Sequence, residues 1–408
     1  MPTKVSTPFD ILKDSILSRP RMMGTAGEHE TTDFLLEFLN RYKLKPYTED
    51  IQWSTAFMVG RKYLYLLMGL CVVLFNLSLR LAQPWNGFLP ILTVLLSIAV
   101  FAFGMKGLMN DKFKFIGETS RGENVLCDIQ PQGKKEDAAR IYLTAHSDSI
   151  SSNFPKIKMP AMIGMLLGYF IAVLVTIATS ILNLLSFYNE QMSLFQAISV
   201  LQWVLIIVSV IILVSVLVSQ FIHDKNSSMG ACDNGSGCVI LLNLARYFHD
   251  HPLQNTQLKF IWCTAEEWGM YGSKEYVKAH QKEIADHYEQ SCIINVDMVG
   301  SELAYVAKSG FLKKKPFNEN LNTLIAETAD ENHIEARAYN TMLASNSDHA
   351  AFKKQKIEAA FFLSNKDTKF IHSPQDTLDK VKPEKLDDAV ALLIKVIQKV
   401  DEGNKSTI

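Results

Sequence analysis

The sequence has no excess of charge of either sign, since 41 Lys and Arg face 42 Asp and Glu. A protein that follows a phosphate backbone usually presents a clear positive field, because its cations replace the counterions of the nucleic acid. The balanced charge therefore argues against nucleic acid as a partner.

The cysteines lack the close, paired spacing of a disulfide framework or of a zinc knuckle. There are six of them, and they stand among apolar or strand-like residues: Cys71, Cys127, Cys232, Cys238, Cys263 and Cys292. We expect reduced, buried thiols at these positions, with no role as cross-links or as metal ligands.

Charge is also missing from four long stretches, which are too apolar for a soluble surface. They are residues 63–79, 81–105, 159–188 and 191–222. About 20 apolar residues span a bilayer, and four such runs in two close pairs would overfill one soluble core. The sequence therefore predicts a multi-pass integral membrane protein with two transmembrane hairpins, residues 61–107 and residues 158–222, in contact with the lipid bilayer.

The flanking segments should share one aqueous compartment, because two crossings return the chain to the side that it left. Residues 1–60, 108–157 and 223–408 can therefore fold as one discontinuous domain. Lys and Arg flank the spans on that side, whereas the opposite turns, residues 80–87 and 189–190, offer only Arg80. The positive-inside rule predicts that the domain is cytoplasmic.

In these segments short β-rich runs alternate with helical patterns. Strands are predicted at 125–129, 140–144, 258–264, 292–296 and 359–363, and helices at 236–248, 273–280, 317–330 and 385–400. This alternation predicts a three-layer αβα fold with a mixed, mostly parallel sheet, into which the four membrane helices are inserted. Sites in such sheets lie at the carboxyl ends of the strands.

Polar clusters follow five of the apolar segments. They are His146-Ser147-Asp148, Asp233-Asn234, Glu266-Glu267, Asp297 and His372. Carboxylates and neutral imidazoles are the ligands of zinc sites that keep a position open for water. Five such ligands suffice for two ions if one carboxylate bridges them, and a pair of ions can activate water against an amide.

Short motifs around these residues resemble the co-catalytic zinc aminopeptidases of metallopeptidase family twenty-eight, whose relatives include glutamate carboxypeptidases and glutaminyl cyclases. The motifs occur in family order: RPRMMGTAG at 19–27, AHSD at 145–148, GACDNGSG at 230–237, AEEWGMYGS at 265–273, NVDM at 295–298, SDHAAF at 347–352 and IHSPQDT at 371–377. Together they are distributed over most of the chain outside the apolar stretches. The resemblance implies a zinc peptidase domain of the aminopeptidase fold.

The resemblance also implies roles for individual residues. His146 and Asp297 would bind one zinc ion, Glu267 and His372 the other, and Asp233 would bridge the two. Glu266 would be the general base, which takes a proton from water and hands it to the leaving amine.

Two further residues of these motifs carry weaker expectations. Asp148 would orient His146, since ligating histidines usually need such a partner. For His349 we favour a structural or substrate-side role over metal binding. The chain departs from the family pattern in its two inserted hairpins, which leaves the substrate open.

The sequence thus predicts a membrane-embedded zinc exopeptidase, in the first place an aminopeptidase acting on peptides. A carboxypeptidase or a glutaminyl-cyclase-like acyltransferase of the same fold is the alternative, and a catalytically inactive membrane scaffold is the alternative of another class. Only about ten residues separate Asp148 from the third apolar stretch. This short connection suggests membrane-associated peptides as substrates. The oligomeric state stays open.

Overall fold

The computed structural model describes residues 6–110, 112–133, 138–189, 194–310, 313–341 and 347–403. The chain divides into two compact units. One comprises residues 1–53, 120–151 and 225–408, and the other comprises residues 54–119 and 152–224.

The strands of the described residues are β1 (Tyr47–Ser54), β2 (Thr119–Ile129), β3 (Ala139–His146), β4 (Ser151–Ser152), β5 (Asp224–Lys225), β6 (Thr256–Cys263), β7 (Ser291–Val296), β8 (Leu303–Ser309), β9 (Lys315–Pro316), β10 (Ala336–Thr341) and β11 (Glu358–Phe362). The α-helices are α1 (Pro8–Asp14), α2 (Ala26–Arg41), α3 (Ala56–Ser78), α4 (Trp85–Met109), α5 (Pro155–Tyr188), α6 (Phe195–Phe221), α7 (Ser236–Asp250), α8 (Tyr271–Ala279), α9 (Gln281–His287), α10 (Glu319–Glu331), α11 (His349–Lys353) and α12 (Pro383–Gly403).

A nine-stranded sheet with the order β1-β2-β6-β3-β7-β11-β8-β10 forms the centre of the first unit, and β9 pairs with β8. The pairs β6/β3, β3/β7, β7/β11 and β8/β10 are parallel, whereas β2/β6 and β11/β8 are antiparallel. The predicted mixed, mostly parallel sheet is confirmed.

Both faces of this sheet are buried, because alternate residues of each strand pack against different helices. On one face Ile141 and Leu143 join a core that includes residues of α1, α2, α7, α10 and α12. On the other face Tyr142 joins a smaller core with residues of α8, α9 and α11. Near-continuous apolar runs such as β7 are what a strand covered on both faces requires. The predicted three-layer αβα arrangement is therefore confirmed.

The register of the central strands brings their carboxyl ends to one edge. His146, the last residue of β3, lies opposite Cys263, the last residue of β6. On the other side Thr144 of β3 lies opposite Asn295 of β7. The residues that follow β6 and β7 therefore emerge beside His146.

The second unit contains α3, α4, α5 and α6, which have 23, 25, 34 and 27 residues and are apolar enough to cross a membrane. At 1.5 Å per residue even the shortest is about 35 Å long, which exceeds the hydrocarbon thickness of a bilayer. Polar side chains also link helices inside the unit: Tyr169 donates to Ser97 at 2.6 Å, and Asn76 donates to Ser209 at 2.8 Å.

The outer surface of these helices is apolar. Leu92, Leu96, Phe103 and Trp203 are each at least 60% exposed. A contiguous apolar surface of this kind is rare on soluble proteins and suits a lipid environment. Of the two predicted turns, Arg80 and Asn189 are described, whereas Glu190 lies outside the described residues.

Candidate metal centre

The predicted ligands come from five separate segments at the carboxyl edge of the sheet. His146 ends β3, and Asp297 directly follows β7. Glu267 lies in the connection between β6 and α8, Asp233 lies in a turn before α7, and His372 lies in the long loop between β11 and α12. The strands fix the positions of the first two residues, while turns and loops bring in the other three.

The backbone around three of these ligands adopts the left-handed region, which is unfavourable for residues other than glycine. Ala265 before the two glutamates has φ 55°, Met298 after Asp297 has φ 74°, and His372 itself has φ 53°. Each such residue costs on the order of 1 kcal/mol or more and persists only where the surrounding structure holds it. Strain of this kind is concentrated at this edge of the sheet.

The five side chains form two triads that share Asp233. In the first triad Nε2 of His146 lies 3.1 Å from Oδ1 of Asp233 and 3.4 Å from Oδ1 of Asp297. In the second triad Nε2 of His372 lies 3.3 Å from Oδ2 of Asp233 and 2.9 Å from Oε2 of Glu267. The shared carboxylate thus turns one oxygen toward each imidazole.

This donor set fits metal binding. In each triad the possible ligand atoms lie within 4.8 Å of one another. Oε1 of Glu267 and Oδ1 of Asp297 are buried and make no hydrogen bond within the described part of the chain. Buried carboxylate oxygens normally have a partner, so these two atoms are suited to a cation. Imidazole nitrogen with carboxylate oxygen is a donor combination typical of zinc.

His372 is the most exposed of the five predicted ligands. The side chain of His372 is 37% exposed, whereas those of His146, Asp233 and Glu267 are at most 7% exposed. A small molecule or chain end would therefore approach past His372.

Burial and nearby negative charge disfavour the charged forms of the two adjacent glutamates when no cation is present. Burial raises the pKa of Glu267 to about 7, which His372 opposes and the charge of Asp233 reinforces. Burial also raises the pKa of Glu266 well above its usual value, against the influence of His146 and together with the charge of Asp348. A divalent cation would offset this repulsion.

Asp148 contacts the glutamate segment more directly than it contacts His146. Its two carboxylate oxygens accept the backbone amides of Glu266 at 3.1 Å and of Glu267 at 3.2 Å. The carboxylate lies 3.6 Å from Nδ1 of His146, whereas its own backbone carbonyl lies 3.1 Å from that nitrogen. A proton on Nδ1 donated to this carbonyl leaves Nε2 of His146 free to face the triad.

Two residues of the quoted motifs, without a predicted role, also hold ligand segments. Asp376 is fully buried and accepts the backbone amides of Cys232 at 2.8 Å and of Asp233 at 3.1 Å. Arg21 is fully buried, and its guanidinium donates to the carbonyls of Ser147 at 2.8 Å and Gly230 at 3.0 Å. Their positions inside family-like motifs were the only sequence signal for them.

His349, for which a structural or substrate-side role is expected, is buried. Its ring packs against Phe361 at 4.3 Å and Phe317 at 5.2 Å between ring centroids. His349 belongs to neither triad. All six cysteines are free thiols, and five of them are buried.

Comparison with known sequences indicates which protein family the segments around this centre resemble. The sequence model described as Peptidase family M28 matches residues 214–397, which include Asp233, Glu267, Asp297 and His372. This part of the chain is therefore similar to that family. Aminopeptidase YwaD of Bacillus subtilis (strain 168) is 27% identical over 183 residues, which are 44% of this chain and 39% of that protein. A probable leucine aminopeptidase of Arthroderma otae is 28% identical over 182 residues, which are 42% of this chain and 48% of that protein.

The chain thus spans less than half the length of these curated relatives. Solved structures share its fold over more of the length. The aminopeptidase from Aneurinibacillus sp. strain AM-1 superposes with a TM-score of 0.55 at 15% identity, covering 96% of this chain and 93% of that one. BSAP, a zinc aminopeptidase from Bacillus subtilis, gives 0.53 at 14% identity, covering 100% and 98%.

A glutaminyl cyclase from an Acidobacteriales bacterium has an equally similar fold, with a TM-score of 0.53 at 12% identity over 99% of both chains. At such identities the likeness concerns the fold alone. The reaction of this protein must therefore be argued from its own residues.

Proposed function

We propose that this chain is a membrane-embedded exopeptidase of the aminopeptidase type, with two zinc ions in its catalytic centre. The observation that carries the proposal is the position of Asp233, which turns one carboxylate oxygen toward each of two imidazole-carboxylate triads. Similarity of residues 214–397 to the peptidase family model, and of part of the chain to an aminopeptidase, supports the peptide substrate.

In this proposal His146, Asp233 and Asp297 hold one ion, and Asp233, Glu267 and His372 hold the other. When bound, the two ions would lower the pKa of a water molecule and polarise the carbonyl group of the scissile amide. The protein residues supply the position of the substrate and the movement of the proton.

Glu266 is the proposed general base. It precedes the ligand Glu267, and both backbone amides are held by the one carboxylate of Asp148. A base fixed beside a ligand can take the proton of the attacking water and return it to the nitrogen of the leaving amine. The centre is nearly buried, which keeps bulk water away from this proton transfer. The end of the peptide substrate would enter beside the exposed side chain of His372.

The experiment uses the purified full chain in lipid nanodiscs. Peptide reporters with a free amino terminus, reporters with a free carboxyl terminus and peptides with amino-terminal Gln are compared before and after chelation, with zinc then restored. We expect chelator-sensitive hydrolysis from the amino terminus and two zinc ions per chain. The His372→Ala variant should lose activity, whereas His249→Ala, at an exposed position of α7, should retain it.

Other outcomes would select the alternatives. Release from the carboxyl terminus would indicate a carboxypeptidase, and cyclisation of amino-terminal Gln with one ion per chain would indicate a glutaminyl-cyclase-like acyltransferase. Metal binding without turnover of any substrate would favour the scaffold function.

The finer proposal is that the substrates are membrane-associated peptides. It is supported by the short chain connection between Asp148 and α5, which begins at Pro155. In liposomes the enzyme should cleave acyl-tailed peptides more efficiently than short polar ones, and detergent should reduce that preference. Equal efficiency on both substrates in liposomes would contradict this finer proposal and leave the aminopeptidase assignment intact.

A further inference from the structure

Two buried aspartates make the same unusual contact with segments that carry metal ligands. Asp148 accepts the consecutive backbone amides of Glu266 and Glu267, and Asp376 accepts those of Cys232 and Asp233. Both aspartates are fully buried. A carboxylate that accepts two adjacent amides fixes the orientation of the peptide unit between them, because both of its oxygens are engaged.

Each aspartate follows the histidine of one triad in sequence and holds a segment with a ligand of the other triad. Asp148 lies two residues after His146 of the first triad, yet it holds the segment of Glu267, which belongs to the second triad. Asp376 lies four residues after His372 of the second triad and holds Asp233, which both triads share. Each histidine loop therefore positions a carboxylate that the other histidine needs.

The first histidine loop is itself anchored to the Asp233 turn. Arg21 donates from Nε to the carbonyl of Ser147 and from Nη2 to the carbonyl of Gly230, at 2.8 Å and 3.0 Å. Its backbone amide also donates to Oγ of Ser149 at 3.0 Å. A displacement of one loop is thus transmitted to the other through direct hydrogen bonds.

We propose that Asp148 and Asp376 are positioning residues that couple the two triads, so that a metal ion in one triad orders a ligand of the other. The inference rests on the proposed dinuclear centre and specifies how its two halves depend on each other. It assigns Asp148 a target other than His146, whose Nδ1 is closer to the backbone carbonyl of Asp148 than to its carboxylate.

The decisive experiment removes one histidine and tests the aspartate of its loop. In a His146→Ala chain the second triad keeps Asp233, Glu267 and His372. Adding Asp148→Asn to this chain should weaken the remaining zinc site about 10- to 100-fold, the range typical for residues that orient metal ligands. Chelator competition on the full chain in nanodiscs measures this affinity without any assay of activity.

If Asp148 served only to orient His146, its substitution would have no effect once His146 is gone. An unchanged zinc affinity in the His146→Ala chain would therefore overturn the proposal. The mirror experiment places Asp376→Asn in a His372→Ala chain, where the same weakening is expected of the first triad.

Asp401 offers a matched control. Its carboxylate accepts the consecutive amides of Gln254 and Asn255 at 3.0 Å and 2.8 Å, but that segment carries no predicted ligand. Asp401→Asn should change zinc affinity less than twofold in either background. If Asp401→Asn lowered zinc affinity as much as Asp148→Asn does, the effect would reflect general destabilisation, and the proposal would be overturned.

A second measurement does not depend on metal binding by the single-histidine chains. In wild-type protein, zinc should slow hydrogen exchange at the amides of residues 266–267 and 232–233. Asp148→Asn should abolish the slowing at 266–267 only, and Asp376→Asn the slowing at 232–233 only. Equal slowing in wild type and both variants would overturn the coupling, whereas a chain that takes up no zinc would overturn the proposed function itself.

Discussion

Oδ2 of Asp233 lies 3.3 Å from Nε2 of His372, while Oδ1 of the same carboxylate lies 3.1 Å from Nε2 of His146. Two imidazoles that approach one carboxylate from opposite oxygens are arranged as ligands around a bridging group. Loss of this carboxylate should therefore weaken metal binding in both triads.

Asp233→Asn tests the bridge. An amide presents only one oxygen and no charge, so we expect the variant to lose zinc from both triads and to fall below one ion per chain after dialysis. Metal analysis of the purified full chain measures the outcome. Asp250→Asn, at an exposed position of α7, should retain both ions. Two tightly bound ions in the Asp233→Asn chain would contradict the bridging role.

Glu266→Gln separates the general base from the ligands. The backbone amide that Asp148 accepts is unchanged by this substitution, so fold and zinc content should be preserved. Loss of proton transfer should lower kcat about 100-fold or more, with little change in KM. Glu384→Gln, at an exposed position in the first turn of α12, is the control. Turnover near that of the wild type would show that another residue takes the proton.

The sequence predicted the central elements of the fold because their patterns are strong. Four of the five predicted strands and all four predicted helices of the first unit are confirmed to within three residues at each end. The fifth strand, predicted at 125–129, ends as predicted, but β2 begins six residues earlier, at Thr119. The sequence pattern did not reveal β10 and α2. β10 has an exposed, mainly polar sequence without an apolar run, and α2 buries small polar residues such as Thr31 and Thr32 beside Leu35.

The candidate site was predictable where predicted ligands lie at the end of a parallel strand, as His146 does, or directly after it, as Asp297 does. The contacts of Asp376 were not, because its partner Cys232 is 144 positions away in sequence. Only the packed loops bring such a carboxylate against those amides. A carboxylate that accepts backbone amides requires no particular side chains in its partner, so the sequence contains no pattern that predicts the contact.

A cluster of charges at the amino-terminal end of α9 predicts how stability depends on pH. His280 contacts Glu49 at 2.7 Å and Glu283 at 3.1 Å. Hydrogen bonds to Glu283 and Glu49 raise the pKa of His280 to about 9. The hydrogen bond from His280 lowers the pKa of Glu283 to about 2, although burial acts in the opposite direction.

His280→Gln should therefore destabilise the protein most at pH 5 to 6. A raised histidine pKa stabilises the fold fully below the unfolded value near 6.5, and this contribution is lost as the pH rises through about 9. We expect a loss of about 1 kcal/mol at pH 6, seen as a melting temperature lower by about 2–4 °C. His249→Gln should have no such effect. A difference from wild type that persisted unchanged at pH 10 would contradict this assignment.

The two proposed transmembrane hairpins, with the proposed cytoplasmic position of the first unit, predict which connections lie on the far side of the membrane. Arg80 and Asn189 are exposed residues at the ends of α3 and α5. The short flanks at the opposite ends of the helices carry an excess of Lys and Arg, and such flanks remain in the cytoplasm. In a chain whose six cysteines are replaced, Arg80→Cys and Asn189→Cys should therefore react with a membrane-impermeant maleimide added outside intact cells. Glu384→Cys in α12, exposed and part of the first unit, should react only after the cells are permeabilised.

The reverse pattern would place the metal centre outside the cytoplasm while leaving the hairpins themselves intact. Labelling of Arg80→Cys and Glu384→Cys from the same side would contradict the first hairpin, because residues on opposite sides of one crossing cannot share a compartment.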